Sequence, residues 1–310
     1  MRAVVIALAL IVSLTATSGI RAGAGDADPV KPKDGEVAKP AQPVLVGGNF
    51  EVDVVKDIPY VEGPGADPKK HKLDLYLPRG MKDFPVVFFI HGGGWRSGDR
   101  KLYGMFGKTF AKNGVGAVII SYRLTPPVTH PAHIEDVAKA FAWTHKNIAK
   151  YGGKPEEIFV TGQSAGGHLA ALLATNGQYL AAESLTPTAI KGVMPMSGIY
   201  LFRQGWMEVI IGKGEKAAES ASPLKHVTGK EPPFLILYAD RDFPGCDTMS
   251  VALNELLLKN HVESSCDAIK DRNHISIIFK MMVDDADPAT QALLKFMAAH
   301  SSGLKLAPRG

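Results

Sequence analysis

The sequence predicts an α/β fold, a mostly parallel eight-stranded sheet with helices on both faces. Three observations carry that expectation. Short apolar runs alternate with longer segments of helical spacing after Phe84, as strands and crossover helices do in a parallel sheet. The run Val86-Val87-Phe88-Phe89-Ile90 is continuously apolar, as a strand buried on both faces must be. Two glycine-rich bends each directly follow such a run: His91-Gly92-Gly93-Gly94-Trp95, and Gly162-Gln163-Ser164-Ala165-Gly166 after Ile158-Phe159-Val160-Thr161.

Taken in order, the chain opens with Arg2 and an apolar run from Val4 to Leu14, followed by small and polar residues. That is the pattern of a secretory signal peptide, and the run is too short for a comfortable membrane span. Ala22-Gly23-Ala24 offers a cleavage site and Ala16-Thr17-Ser18 a second, so residues 1–24 read as a signal peptide. Export to the periplasm or the medium is expected, with no stable membrane insertion after cleavage; an uncleaved N-terminal anchor is the alternative. Residues 25–46 are rich in Pro, Ala, Lys and Asp without apolar periodicity and read as a disordered linker. The folded domain is expected over residues 47–310, beginning in earnest near Phe50.

Strands are expected at residues 51–55, 72–76, 86–90, 116–122, 158–161, 192–197, 234–238 and 264–269, the first two as an antiparallel edge pair. Helices are expected at residues 102–113, 131–151, 165–175, 248–260 and 288–300. The second carries Ile134, Val137, Ala138, Phe141 and Ala142 at helical spacing, and Gly152-Gly153 stop it. Residues 199–230 read as a reduced cap, with Phe202, Trp206, Met207, Ile210 and Ile211 as either pocket lining or ordinary core.

A G-x-S-x-G bend between a buried strand and a helix forces one serine hydroxyl out of a sharp turn. Ser164 is therefore the candidate nucleophile. Three consecutive glycines at 92–94 leave bare backbone N–H groups able to converge on an anion, which a tetrahedral acyl-transfer intermediate requires. A flexible glycine turn explains either motif alone, but not both in this order, each straight after a buried strand.

At these residues the chain resembles the α/β-hydrolase fold, and more narrowly the carboxylesterases related to hormone-sensitive lipase and the formamidase-like esterases. The matching segments are HGGGWRSGD from His91, Ser121-Tyr122-Arg123-Leu124, His130-Pro131-Ala132, residues 151–171, Ser222-Pro223-Leu224 and residues 232–242. The resemblance runs from about Phe50 to His300. Its motifs specify the family but not a substrate. It implies an oxyanion hole of the Gly93, Gly94 and Ala165 N–H groups.

A serine hydroxyl needs a base and a carboxylate to orient that base, and in this fold the chain order is Ser, Asp or Glu, His. The strand Phe234-Leu235-Ile236-Leu237-Tyr238 runs into Ala239-Asp240-Arg241-Asp242-Phe243-Pro244. This resembles the family's H-G-x-x-D-x-x-x-P turn with Tyr238 and Ala239 in place of His-Gly, a register that makes Asp242 the acid and Asp240 the runner-up. His274 falls on the loop after the next strand and is the candidate base; otherwise it is a surface histidine and Ser164 lacks a partner. His168, His130, His133 and His91 are read as packed, hydrogen-bonded or loop-organising. Trp95, Phe202 and Trp206 are the candidate substrate-binding side chains.

The expected function is serine carboxylesterase activity on small to medium acyl esters through an acyl-enzyme, with acetylated carbohydrate a plausible substrate. The alternatives are an aryl or kynurenine formamidase and a catalytically dead binding module. No ligand set converges for a metal, and no cofactor is expected. At 310 residues and 45% hydrophobic the chain can bury one large core, and its net charge of +4 is too small and too dispersed for nucleic-acid binding. The expected partner is a small-molecule ester; the oligomeric state stays open, a homodimer included. Two cysteines, Cys246 and Cys266, are compatible with an exported protein, and their spacing decides neither for nor against a bridge.

Overall fold

The computed structural model describes residues 49–302 and 304. The expected signal peptide and the expected linker lie outside them. No helix among the described residues is long and apolar enough to cross a membrane.

The eight strands are β1 (Val52–Pro59), β2 (Lys72–Pro78), β3 (Phe84–Ile90), β4 (Gly116–Ile120), β5 (Gly153–Gln163), β6 (Gly192–Met196), β7 (Phe234–Arg241) and β8 (Ser264–Asn273). They form one sheet in the order β1-β2-β4-β3-β5-β6-β7-β8. β1 pairs with β2, and β2 with β4, antiparallel; every other pairing is parallel. The expected antiparallel pair is present, with β1 as the edge and β2 continuing into the sheet. Burial follows position. β3, β4 and β6 are buried at every residue, whereas β1 is half-buried to exposed and β8 alternates with much of its length exposed. Continuous apolar runs mark the centre because both faces there are covered.

The helices are α1 (Gly104–Lys112), α2 (Ala132–Asn147), α3 (Ala165–Thr175), α4 (Gln178–Ala182), α5 (Glu208–Ile211), α6 (Glu215–Ser220), α7 (Cys246–Lys259), α8 (Ser276–Met281) and α9 (Pro288–His300). Alternate strand residues feed two separate cores. Val86, Phe88 and Ile90 of β3 and Val118 and Ile120 of β4 pack with Ile134, Val137, Phe141, Leu169 and Leu172 on one face. Val87 and Phe89 of β3 and Ala117 and Ile119 of β4 pack with Phe106, Phe110, Leu293 and Met297 on the other. The two-residue period of a strand produces this division.

Several boundaries differ from expectation. β4 stops at Ile120, because Tyr122 leaves the ladder and donates its hydroxyl to the His91 carbonyl (3.0 Å). β5 starts five residues early, where Gly153 pairs with Phe84. β7 and β8 run on to Arg241 and Asn273, which carries their ends to the residues of chemical interest. The cap region holds only the short α5 and α6 and a 3-10 turn at Pro223–Lys225. The short helices α4 and α8 had no periodicity long enough to announce them.

Strand order reverses around β3, whose neighbours β4 and β5 lie on opposite sides. Ligand crevices of open α/β sheets form at such switch points, beyond the carboxyl ends of the strands. Both glycine bends lie there.

Candidate active site

Ser164 links β5 to α3 with φ 58° and ψ −119°. A positive φ is strained for a side chain with a Cβ and persists only where the surroundings enforce it. They do so here. The Ser164 N–H donates to the Met196 carbonyl (2.9 Å), and the Ser164 carbonyl accepts from the His168 N–H (2.9 Å). Gly166 lets α3 lie directly on β3: a Cβ there would stand 2.0 Å from the Ile90 carbonyl oxygen.

His274 directly follows β8. Its Nε2 lies 2.8 Å from Ser164 Oγ, and its Nδ1 lies 2.6 Å from Asp242 Oδ1. An ionised carboxylate can only accept, so Nδ1 carries the proton and Nε2 turns a lone pair to the serine hydroxyl. Three residues far apart in sequence thus form one continuous relay. His274 is 6% exposed, so little bulk water competes for its ring nitrogens.

Asp242 sits just past β7. Burial pushes its carboxyl up, but hydrogen bonds from His274, from the Ser197 hydroxyl (2.5 Å) and from the Ala239 N–H (3.0 Å) overcome that and hold it below the ordinary range. The Phe243 N–H also donates to Oδ1 (2.8 Å). Asp240, the alternative acid, accepts from the Asp271 and Arg272 N–H groups (both 2.9 Å) and so ties the β7 loop to β8. Its side chain is committed to that brace.

The loop after β3 abuts the elbow: a Cβ on Gly92 would stand 3.4 Å from Ser164 Cβ. Gly93 has φ 118°, and a Cβ there would stand 2.3 Å from the Ser97 carbonyl oxygen. Its own carbonyl turns inward and accepts from the Arg96 N–H, the Ser97 N–H and the Ser97 hydroxyl. No group among the described residues accepts from the Gly93 or Gly94 N–H. The Ala165 N–H belongs to the first turn of α3, where backbone donors have no partner within the helix. These are the three donors expected to hold an oxyanion.

The four other histidines singled out in the sequence are hydrogen-bonded within the fold. His91 donates from Nδ1 to the Gly92 carbonyl (2.8 Å) and stacks on Tyr122 with ring centroids 4.4 Å apart. Burial pushes its imidazole down to about 4, so it stays neutral under the glycine loop. His168, pushed down to about 3 by burial, accepts from Trp95 Nε1 (3.1 Å) and donates to the Ala221 carbonyl (2.7 Å). His130 pairs with the Ser220 hydroxyl (2.9 Å), and His133 with that of Thr125 (3.2 Å).

Two expectations for the substrate surface are corrected. Trp95 and Phe202 are 2% and 3% exposed and belong to the core. Trp95 is held down by its bond to His168 and by edge-on contact with Phe202, so it anchors the glycine loop from below. Trp206 is half-buried against Phe202. The cysteines are both free: Cys246 opens α7 and Cys266 lies within β8. Asp242, Cys246 and His274 bring an oxygen, a sulfur and a nitrogen within 4.8 Å of one another, but the carboxylate and imidazole already bond each other in the relay.

Two residues of the site escaped the sequence reading. Ser197, at φ 50° just past β6, donates to Asp242. Gln163, the variable residue before Ser164, donates from Nε2 to the His274 carbonyl (2.7 Å) and so fixes the base to the elbow. The end of a predicted strand was the only signal for Ser197, and a buried amide next to the elbow the only one for Gln163.

A family model described as BD-FAE matches residues 73–257, which hold the glycine loop, the elbow and the acid. The chain belongs to the BD-FAE family. This BD-FAE chain is 33% identical to esterase LipQ of Mycobacterium tuberculosis over 208 residues, 60% of this chain and 48% of LipQ. It is 31% identical to isoprenylcysteine alpha-carbonyl methylesterase ICME of Arabidopsis thaliana over 222 residues, 63% of this chain and 50% of that protein. The BD-FAE chain thus spans about half the length of these curated relatives. Among solved structures, esterase B from Lactobacillus rhamnosis superposes with a TM-score of 0.69 at 21% identity, covering 81% of this chain and 87% of that one. A truncated carbohydrate esterase from gut microbiota superposes at 0.68 and 20% identity, covering 84% and 99%. These likenesses establish the α/β-hydrolase fold.

Proposed function

We propose that this protein is a serine carboxylesterase acting on small to medium acyl esters. The observation that carries the reading is the unbroken Ser164–His274–Asp242 relay at the carboxyl ends of β5, β8 and β7. In the first half-reaction Ser164 Oγ attacks the ester carbonyl while His274 Nε2 accepts its proton. Asp242 keeps the imidazole in the Nδ1–H tautomer and stabilises the imidazolium. The Gly93, Gly94 and Ala165 N–H groups receive the oxyanion; removing one such donor lowers turnover by about 10²–10³. The imidazolium then protonates the leaving alcohol, and water, deprotonated by the same base, releases the acid.

The esterase names of LipQ and ICME support the reaction class, and the short cap supports an open site for modest acyl groups. The N-terminal pattern of residues 1–24 supports export to the periplasm or medium. An intact relay argues against a dead binding module.

Ser164→Ala tests the reading. Hydrolysis of short nitrophenyl esters should vanish while the thermal unfolding curve still shows a folded protein. Retained hydrolysis would end the assignment. N-formylkynurenine assayed beside acetyl and butyryl esters separates ester from formamide preference.

A further inference from the structure

We infer that Phe243 is a positioning residue of the triad: the face of its ring holds the His274 imidazole and stabilises the imidazolium that forms in each half-reaction. The inference rests on the serine-esterase reading and adds a residue to its machinery. The contact is direct. The Phe243 ring stacks on the imidazole with centroids 4.1 Å apart and planes 22° from parallel. A phenylalanine placed for packing would be buried. Phe243 is instead 43% exposed and belongs to neither of the two cores, while the His274 beneath it is 6% exposed. Asp242 and Ser164 take the two ring nitrogens of His274, and Phe243 takes a face that neither of them occupies.

The backbone fixes this arrangement. The Phe243 N–H donates to Asp242 Oδ1 (2.8 Å), the oxygen that also lies 2.6 Å from His274 Nδ1. The Phe243 carbonyl accepts from the Cys246 N–H (3.1 Å) across Pro244 and Gly245. Gly245 has φ 88° and ψ −9°, and Pro244 before it cannot take a positive φ, so the four residues form a type II turn. That turn runs straight into α7 and carries the ring in place, so little freedom is lost by keeping it stacked. The consequence is electrostatic. An aromatic face carries the negative part of the ring quadrupole and attracts a cation more than a neutral ring. The imidazole is neutral before Ser164 attacks and cationic until Nε2 gives up the proton. The attraction is therefore gained on the way to the transition state, where it raises the rate rather than the affinity for substrate.

The test compares side chains with and without a π face. Phe243→Leu keeps an apolar cover and removes the face; Phe243→Tyr keeps both. On nitrophenyl acetate, Phe243→Leu should lower kcat about three- to tenfold with KM unchanged, because acylation and deacylation both pass through the imidazolium and slow together. Phe243→Tyr should stay within about twofold of wild type. A trifluoromethyl ketone gives a second readout. Ser164 Oγ bonds to its carbonyl carbon, the carbonyl oxygen becomes the oxyanion, and the hydroxyl proton passes to His274 Nε2. Its inhibition constant should rise in Phe243→Leu by about the factor by which kcat falls. Phe243→Met serves if Phe243→Leu fails to fold. Wild-type kcat in Phe243→Leu, an equal fall in Phe243→Leu and Phe243→Tyr, or a loss carried by KM overturns the inference. Ser164→Ala, assayed on the same ester, separates the two failures. If it still hydrolyses the ester, the serine-esterase reading itself falls. If it is inactive and Phe243→Leu matches wild type, only the role of Phe243 falls.

Discussion

Replacing Ser197 by alanine tests how the triad acid is held. The Ser197 hydroxyl donates to Asp242 Oδ2 at 2.5 Å, and the Asp242 side chain is 2% exposed. A hydrogen bond to a charged group contributes about 1.5–3 kcal/mol, and burial here leaves little solvent to replace it. Losing it should raise the folded-state pKa of Asp242 toward the ordinary carboxylate value. The carboxyl is depressed in the folded protein, so its contribution to stability is present above the unfolded pKa and is lost as pH falls through the folded one. Ser197→Ala should therefore be destabilised by about 1.5–3 kcal/mol at pH 7, and the gap from wild type should close as the solution is acidified. Urea denaturation at pH 7 and at successively lower pH measures this. Turnover should fall by about tenfold or less, since His274 and the Ala239 N–H still hold the carboxylate. A gap of constant size at every pH would refute the reasoning, because it would mean the hydroxyl matters through packing and not through the charge on Asp242.

Three further outcomes are expected. Asp242→Asn should lower kcat by about 10³–10⁴ by upsetting the imidazole tautomer, whereas Asp240→Asn should cause a much smaller fall accompanied by a looser β7–β8 junction; the reverse order in steady-state kinetics would exchange the two roles. Ser164→Gly should unfold at a higher temperature than Ser164→Ala, because glycine relieves strain of about 1–3 kcal/mol at φ 58° against an entropic penalty of about 0.5–1 kcal/mol; equal midpoints would show the elbow unstrained. Denatured without reductant, the protein should yield both thiols to titration, while in the native state Cys246, 5% exposed and pushed up to about 12 by burial and by Asp242, should react slowly; a bridge found under those conditions would contradict the free cysteines.

Much of the fold was legible because the central strands are buried on both faces. Residues such as Val86 to Ile90 can only be apolar there, and the covering helices repeat at their own period. Reading failed where neighbours, not local sequence, set the boundary. Tyr122 is apolar enough for a strand, yet a hydrogen bond to His91 takes it out of β4. Trp95 and Phe202 look like substrate contacts by composition, but Trp95 satisfies its indole N–H on His168 and both rings sink into the core.

By itself the sequence determined the chemistry on offer: a serine on a bend that glycines make possible, an imidazole and a carboxylate each on the loop after a strand, and bare amides ahead of them. These are local features, dictated by steric limits and by the burial of each strand. Only the tertiary structure decided which carboxylate faces the imidazole, that Ser197 and Gln163 hold the relay in place, and that Phe243 stacks on His274. Those outcomes depend on side chains from strands that meet only when the sheet is assembled. No spacing along the chain encodes a distance across it.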